Sequence, residues 1–239
     1  MSDDAFEALL EVQAHDTRLD QLRHRLETLP ERATRDAAQA AVVEVAAAIE
    51  AETAVRDDLA RQQKRVDDEV ESLKEKRAGF DAKLYGGTVS NPRELQDLQE
   101  EIDSLSRRIT QLEDEELEIM EQVEPVEARL AELAAAADAK QAALDDAEQR
   151  LIAAEAEIRA EEDAERAVRD GAAAPVPADL LAQYEKLRAG RGGIGVARLV
   201  GSQCGGCHLA LSAMEAARLR KLPAGEVAHC EECGRILVP

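Results

Sequence analysis

The chain has 239 residues and a formal net charge of −21, and only 2 % of its residues are aromatic, with no tryptophan. This composition excludes a large globular core built on aromatic side chains. The sequence also contains no apolar run of the ~20 residues that a membrane-spanning helix needs. Alanine, glutamate, leucine and arginine favour helix and are typical of coiled coils, and they dominate the first three quarters of the chain. The first residues, Met1-Ser2-Asp3-Asp4, are acidic and do not form a signal-peptide pattern, so we expect a cytoplasmic protein.

Two segments before residue 85 carry apolar residues at helical spacing and predict the first arm of a helical hairpin. The first segment, residues 1–29, is followed by Pro30, which lacks an amide proton and should end or kink the helix. His15 and His24 on this segment are predicted to be solvated. The second segment covers residues 38–84, with its apolar stripe at Val42, Val45, Ile49, Val55, Leu59, Val66, Val70, Leu73, Phe80 and Leu84.

A heptad seam follows the break at residues 85–92 and predicts the second arm. From Leu95 to Ile158, apolar residues recur at alternating spacings of three and four, interrupted only by Glu116 and Lys140. Such a seam must pack against another helix, and the segment before the break is the nearest candidate. The two arms have similar lengths. We therefore predict a mainly α fold, with a long antiparallel coiled-coil hairpin over residues 1–171 and Pro125 at an outward position that bends the second arm.

A change of composition marks the end of the predicted hairpin. Residues 1–174 hold 45 acidic and 22 basic side chains, whereas residues 175–239 hold 6 and 8. The segment from Gly171 to Pro177 is rich in alanine and proline, which is typical of a linker. We predict a linker and a short helix over residues 172–194, followed by a β-rich domain over residues 195–239.

Two Cys-x-x-Cys pairs in that last domain predict one structural zinc ion. They are Cys204-Gly-Gly-Cys207 and Cys230-Glu-Glu-Cys233. Each pair can place two thiolates on one ion, and two pairs complete the tetrahedron that zinc prefers. The glycines allow tight turns, so-called knuckles, whose amides point at the sulfurs. A redox role is the alternative, but neither pair opens a helix after a strand.

Catalysis is not predicted for this site. Four thiolates leave zinc no open position for water or substrate. Two histidines flank the knuckles, His208 and His229. We interpret them as surface or second-sphere residues, because four cysteines already fill the coordination shell. We found no phosphate-binding loop, no dinucleotide motif and no nucleophilic triad, so we expect neither an enzyme nor a small-molecule substrate.

The chain resembles a bacterial family of C4-type zinc ribbon proteins with a coiled-coil hairpin. Two blocks carry the resemblance: Leu84-Tyr-Gly-Gly-Thr-Val-Ser-Asn-Pro-Arg-Glu-Leu-Gln-Asp-Leu-Gln99 at the break, and the tail from Cys204 to Leu237. The hairpin between the blocks fits as well. The resemblance implies a nucleic-acid-binding or adaptor protein without enzymatic activity, and it implies no particular partner.

Two functional hypotheses follow. The first is an adaptor that binds a protein partner through the hairpin and the ribbon, with the tip of the hairpin as the first candidate surface: Tyr85, Gly86, Gly87, Val89, Asn91, Pro92 and Arg93. The second is a nucleic-acid binder that acts through basic residues of the tail: Arg188, Arg191, Arg198, Arg218, Arg220, Lys221 and Arg235. We favour the adaptor, because strongly acidic arms repel phosphate and aromatic residues for base stacking are scarce.

Overall fold

The computed structural model describes residues 3–223 and 225–239. The helices are α1 (Asp3–Glu27), α2 (Pro30–Tyr85), α3 (Pro92–Ala173), α4 (Ala178–Gly190) and α5 (Ala213–Leu219), and the strands are β1 (Val196–Val200), β2 (Gln203–Cys204), β3 (Ala228–His229) and β4 (Ile236–Val238). The predicted mainly α hairpin with a small β-rich tail is confirmed. Within the described residues, no helix has both the length and the apolar character needed to cross a membrane.

Proline and asparagine set the helix ends. Pro30 is the first residue of α2, where its missing N–H costs no hydrogen bond, so α1 and α2 are separate helices. Asn91 precedes α3, and its Oδ1 accepts the N–H of Arg93 at 3.0 Å. Pro125 is exposed and α3 runs through it without a break, while the predicted bend stays a prediction. α3 continues through Gly171 to Ala173, two residues into the predicted linker.

The chain forms two compact units. The ribbon unit comprises Met1–Thr34 and Glu148–Pro239, and the hairpin unit comprises Arg35–Ala147. The N-terminal helix and the end of α3 thus belong to the same unit as the ribbon. The predicted division at residues 171 and 194 stays a prediction.

The hairpin unit is held by one apolar seam between α2 and α3. Its buried members are Leu59, Val66, Val70, Ile109, Leu112, Ile119 and Val126. Of the two seam exceptions in the sequence, Glu116 is half-buried and Lys140 is exposed. Ion pairs join the helices beside the seam, with Arg108 at 3.0 Å from Glu69 and Lys74 at 2.7 Å from Glu113. Val55 was wrongly placed on the stripe; its side chain is 47 % exposed.

In the ribbon unit, α1 packs against the C-terminal part of α3. Leu22 of α1 and Leu29, which follows α1, form an apolar cluster with Leu151 and Ile158 of α3. Beside this contact, the ring of His15 lies 2.6 Å from the carboxylate of Glu165 and is half-buried. The prediction that His15 is solvated was therefore wrong, because a helix of the same unit covers it. His24 is exposed, as predicted.

The four strands form one sheet in the order β2-β1-β4-β3. The two central strands, β1 and β4, are parallel, with Val196 opposite Ile236. The outer pairs, β1 with β2 and β3 with β4, are antiparallel hairpins. Each hairpin leads to one of the two cysteine pairs. The sheet therefore brings together two knuckles that are 22 residues apart in the sequence.

Both faces of the central strand pair are covered. On one face, Val196, Ile236 and Val238 belong to a core with Leu9, Val12 and Tyr184 of the helices. On the other face, Ala197, Leu199 and Leu237 belong to a second core that contains three of the cysteines. Because alternate residues of a strand point to opposite sides, the same two strands join the helical core to the cysteine cluster.

Candidate metal centre

The two knuckles have the same backbone pattern. In the first, Cys204 donates its N–H to the carbonyl of Leu209 at 3.1 Å, and His208 donates to the carbonyl of Cys204 at 2.8 Å. In the second, Cys230 donates to Arg235 at 2.9 Å, and Gly234 donates to Cys230 at 2.8 Å. The spacing along the chain is identical, so the cluster is built from two copies of one turn.

The fourth residue after the first cysteine of each pair has a positive φ. Gly234 takes φ 72° in the second knuckle, and His208 takes φ 64° in the first. Glycine adopts this conformation readily, whereas a residue with a Cβ does so at a cost. His208 is exposed, and the sequence analysis did not find its backbone role. Aligning the two cysteine pairs would have shown that it occupies the place of Gly234.

The glycines between the first two cysteines permit close packing. A Cβ on Gly205 would lie 2.8 Å from the carbonyl oxygen of Arg198, and one on Gly206 would lie 2.7 Å from the Cδ of Arg235. The N–H of Gly206 also points to the Sγ of Cys204 at 3.4 Å. The predicted role of these glycines, a tight turn with an amide directed at sulfur, agrees with this geometry.

The four cysteines are positioned to bind one zinc ion. Their Sγ atoms all lie within 4.8 Å of one another. Two pairs that join different knuckles, Cys204 with Cys233 and Cys207 with Cys230, are each 3.9 Å apart. Zn–S bonds of about 2.3 Å in a tetrahedron separate neighbouring sulfurs by roughly 3.8 Å, so the donor set fits zinc. Bound zinc would tie the two knuckles together and leave no open position for substrate.

The thiols have unequal acidities without a cation. Burial raises the pKa of Cys230 to about 12, and burial also raises the pKa of Cys204. For Cys233, burial opposes ionisation, but hydrogen bonds from the backbone and side chain of Arg235 outweigh it and lower the pKa to about 7. A dication among the sulfurs favours the thiolate form of every ligand.

The segment between the knuckles forms a short capped helix. The Oγ of Ser212 accepts the N–H of Glu215 at 3.1 Å, and this N-cap contact begins α5. The carboxylate of Glu215 binds Arg218 instead of returning to the Ser212 amide, and this hydrogen bond lowers the pKa of Glu215. His229 lies beside the second knuckle, with its Nδ1 3.2 Å from the carbonyl of Gly234.

Gln13 of α1 binds the backbone at the entrance to the ribbon. Its Nε2 donates to the carbonyl of Gly193 at 2.9 Å, and its Oε1 accepts the N–H of Gly195 at 2.7 Å. The side chain is buried, so both backbone groups would lack a partner without it. Sequence reasoning missed this contact, because a glutamine on an amphipathic helix looks solvated.

Asp16, one turn further along α1, is the centre of a buried ionic cluster. Its side chain accepts the hydroxyl of Tyr184 at 2.7 Å and the Nε of Arg169 at 3.3 Å, and the Nε of Arg188 lies 3.6 Å away. Burial raises the pKa of Tyr184, and the hydrogen bond to the Asp16 carboxylate raises it further. Together with Gln13, this cluster fixes α1, α3, α4 and the start of β1 within the ribbon unit.

The tip residues of the hairpin are largely exposed. The side chain of Tyr85 is 79 % exposed, Arg93 is exposed and Val89 is half-buried. The remaining members of the predicted set have roles in reversing the chain. Gly87 takes φ 69°, and a Cβ on Gly86 would collide with the carbonyl oxygen of Ala82.

Most of the ribbon cations have partners within the ribbon unit. Arg188 binds Asp20 at 2.7 Å, Arg198 binds Glu7 at 2.5 Å and Arg218 binds Glu215 at 2.6 Å. The guanidinium of Arg220 donates to the carbonyl of Gly201, and that of Arg235 donates to Ile194 and Arg191. The side chains of Arg191 and Lys221 are exposed and make no hydrogen bond or ion pair with the described residues.

Comparisons with protein families agree with this architecture. A model described as the CT398-like coiled coil hairpin domain matches residues 12–192, and one described as the C4-type zinc ribbon domain matches residues 203–237. An uncharacterised protein of Mycobacterium tuberculosis is 36 % identical over 234 residues, which cover 97 % of this chain and 94 % of that protein.

Solved structures share the fold over the whole chain. A structure from Mycobacterium smegmatis has a TM-score of 0.88 at 28 % identity and covers 100 % of this chain and 99 % of its own. The CT398 protein of Chlamydia trachomatis has a TM-score of 0.72 at 19 % identity, with 98 % and 97 % covered. At that identity, the second likeness concerns the fold alone.

Proposed function

The chain belongs to the family of CT398-like coiled-coil hairpin proteins with a C4-type zinc ribbon, and on that premise we propose that it is a cytoplasmic, non-enzymatic adaptor. In this proposal, zinc stabilises the ribbon, and the hairpin and the ribbon present surfaces to a protein partner. A hairpin and a closed four-thiolate site fit a scaffold or binder, since neither supplies a reactive group.

The observation that carries the proposal is the exposure of Tyr85 at the tip. Exposed tyrosines are scarce in this chain, which has only two tyrosines, and the other, Tyr184, is buried. Tyrosine is enriched at the centres of protein interfaces because it offers a large, rigid contact area. Arg93 is a second residue type enriched in interfaces, and it lies eight positions further along the same tip.

The alternative, nucleic-acid binding through the ribbon, has less support. Five of the seven candidate cations donate to acceptors in the ribbon unit: Arg188, Arg198, Arg218, Arg220 and Arg235. Phosphate would have to compete with these contacts, and only Arg191 and Lys221 are left without them among the described residues. The acidic hairpin adds long-range repulsion.

The test is capture of the partner by a tip variant. Tyr85, Val89 and Arg93 are replaced together by alanine, while Gly86, Gly87, Asn91 and Pro92 are kept so that the chain reversal remains. We expect the zinc-loaded variant to keep its helical signal and to lose proteins that the wild type captures from its native lysate. The matched control replaces Val43 and Arg61 by alanine, both exposed residues of α2 away from the tip.

Two outcomes would contradict the adaptor proposal. If the tip variant captures the same proteins in the same amounts, the tip is only a turn. If nuclease treatment of the wild-type complex releases the captured material, nucleic acid mediates the contact, and variants of Arg191 and Lys221 should then reduce capture.

A further inference from the structure

The middle of α3 carries unusually dense negative charge. Residues 113–127 contain eight carboxylates and no lysine or arginine. Glu113 pairs with Lys74 of α2 at 2.7 Å. The other seven make no ion pair with any residue in the described ranges 3–223 and 225–239. This stretch therefore holds charge that the hairpin itself does not neutralise.

Three cations of α2 pair with carboxylates of their own helix. Arg56 binds Asp57 at 2.5 Å, Arg61 binds Asp58 at 3.1 Å and Lys64 binds Asp68 at 3.2 Å. The hairpin unit as a whole has 29 acidic and 14 basic side chains. A cation brought by another molecule would thus meet seven carboxylates that make no ion pair within the described residues.

Two large apolar side chains lie exposed within this acidic stretch. Leu117 is 58 % exposed and Met120 is 46 % exposed. They are three residues apart on one helix, so they share a face. They are not members of the seam, whose nearest residues Leu112 and Ile119 are buried. Glu113 and Glu121 stand four residues either side of Leu117, and Glu124 stands four residues after Met120, so carboxylates border the apolar pair.

We propose that this face of α3, Leu117 and Met120 with the surrounding carboxylates, is a docking site for a basic amphipathic helix of a partner protein. The occupant follows from charge and shape. An apolar stripe covers Leu117 and the adaptable side chain of Met120, while lysines and arginines beside the stripe reach Glu121 and Glu124. Nucleic acids and anionic membranes carry the wrong charge for this face. The inference rests on the adaptor proposal and identifies a partner chemistry for it.

The test uses two synthetic peptides of about five helical turns with the same lysine, arginine and leucine content. In one the leucines form a single stripe, and in the other their order is scrambled. Binding to the zinc-loaded full-length protein is measured by fluorescence anisotropy near 0.15 M salt, where long-range attraction is screened. We expect the amphipathic peptide to bind at least about tenfold more tightly than the scrambled one.

Variants of the chain locate the site. Leu117→Gln with Met120→Gln should reduce binding of the amphipathic peptide to the level of the scrambled one, whereas Ile152→Gln with Val168→Gln, also exposed apolar residues of α3, should not. Glu121→Gln with Glu124→Gln should weaken it more than Asp97→Asn with Glu101→Gln, which removes the same charge from exposed positions of the same helix.

Three results would overturn the proposal. These are equal binding of the two peptides, equal losses in the site and control variants, and a wild-type dimer in light scattering that Leu117→Gln with Met120→Gln converts to monomer. The last result would mean that a second copy of the chain covers this face. None of them depends on the tip, so capture through Tyr85 and its neighbours would still stand.

Discussion

The hairpin unit and the ribbon unit use charged side chains in opposite ways. In the hairpin unit, ion pairs such as Lys64 with Asp68 are exposed, and such pairs contribute little to stability. In the ribbon unit, Asp16 is 5 % exposed and binds groups from α3 and α4. The hairpin therefore spreads its stability over repeated apolar layers, whereas the ribbon unit depends on a few residues and on its metal. Single substitutions should therefore change the stability of the ribbon unit more than that of the hairpin unit.

Zinc removal should have the largest effect and should spare the hairpin. Structural zinc contributes on the order of 10 kcal/mol to folding in small ribbons, and here three cysteines are themselves members of the core that it stabilises. After chelation, we expect amides of residues 204–211 and 228–235 to lose protection in hydrogen-exchange mass spectrometry, while α2 and α3 in the hairpin unit keep theirs.

The face of β1 and β4 that packs on the helices should respond less to chelation than the knuckles, because Val196 and Ile236 belong to the helical core. Cys204→Ser should reproduce the effect of chelation, and His208→Ala, beside the ligands, should retain zinc. Protection that is unchanged in the metal-free protein would refute a metal-dependent ribbon.

Removing one buried carboxylate should have the second largest effect on stability. Asp16→Ala removes the shared partner of Arg169 and Arg188, which keep Glu185 and Asp20, so we expect a cost of about 3 kcal/mol, at the lower end for breaking a buried ion pair. The matched change in the hairpin unit, Asp68→Ala, should cost less than about 1 kcal/mol. Urea unfolding measures both losses: the fluorescence of Tyr184 in a Tyr85→Phe background follows the ribbon unit, and the helical circular dichroism signal follows the hairpin unit. Similar losses in the two variants would mean that the units do not differ as the contacts indicate.

The smallest expected effect concerns the hydroxyl of Tyr184. Tyr184→Phe removes a hydrogen bond to a carboxylate, which costs about 1.5–3 kcal/mol at neutral pH. The pKa of Tyr184 is raised in the folded protein, so tyrosinate forms more easily in the unfolded chain. The stabilisation is therefore complete below the ordinary value of 10.0 and is lost as the pH rises above it.

Thermal unfolding by circular dichroism should show this dependence on pH. The difference in midpoint between wild type and Tyr184→Phe should be constant from neutral pH to about pH 10 and should shrink above it. A difference that remains constant at higher pH would show that Tyr184 ionises normally in the folded protein.

Sequence patterns predicted the parts of the molecule that repeat. The seam residues recur every heptad, and the cysteine pairs recur as two copies of one turn, so Leu112, Ile119 and the four ligands were found without a structure. The partners of Gln13 and Asp16 could not be predicted in this way, because they lie 153 to 182 residues away and form no periodic pattern. Likewise, the sequence indicated strands near the cysteines, but not that β1 and β4 pair in parallel and pack on α1.

The distance along the chain between Gln13 and the glycines that it binds has a consequence for biosynthesis. Those glycines leave the ribosome about 180 residues after Gln13. At translation rates of roughly 5–20 residues per second, this delay is on the order of ten to forty seconds. During that time, Leu9, Val12 and Asp16 lack the α4 and strand residues that later cover them. α1 is thus synthesised long before the residues that bury it, and during this delay the nascent chain exposes the apolar side chains of Leu9 and Val12.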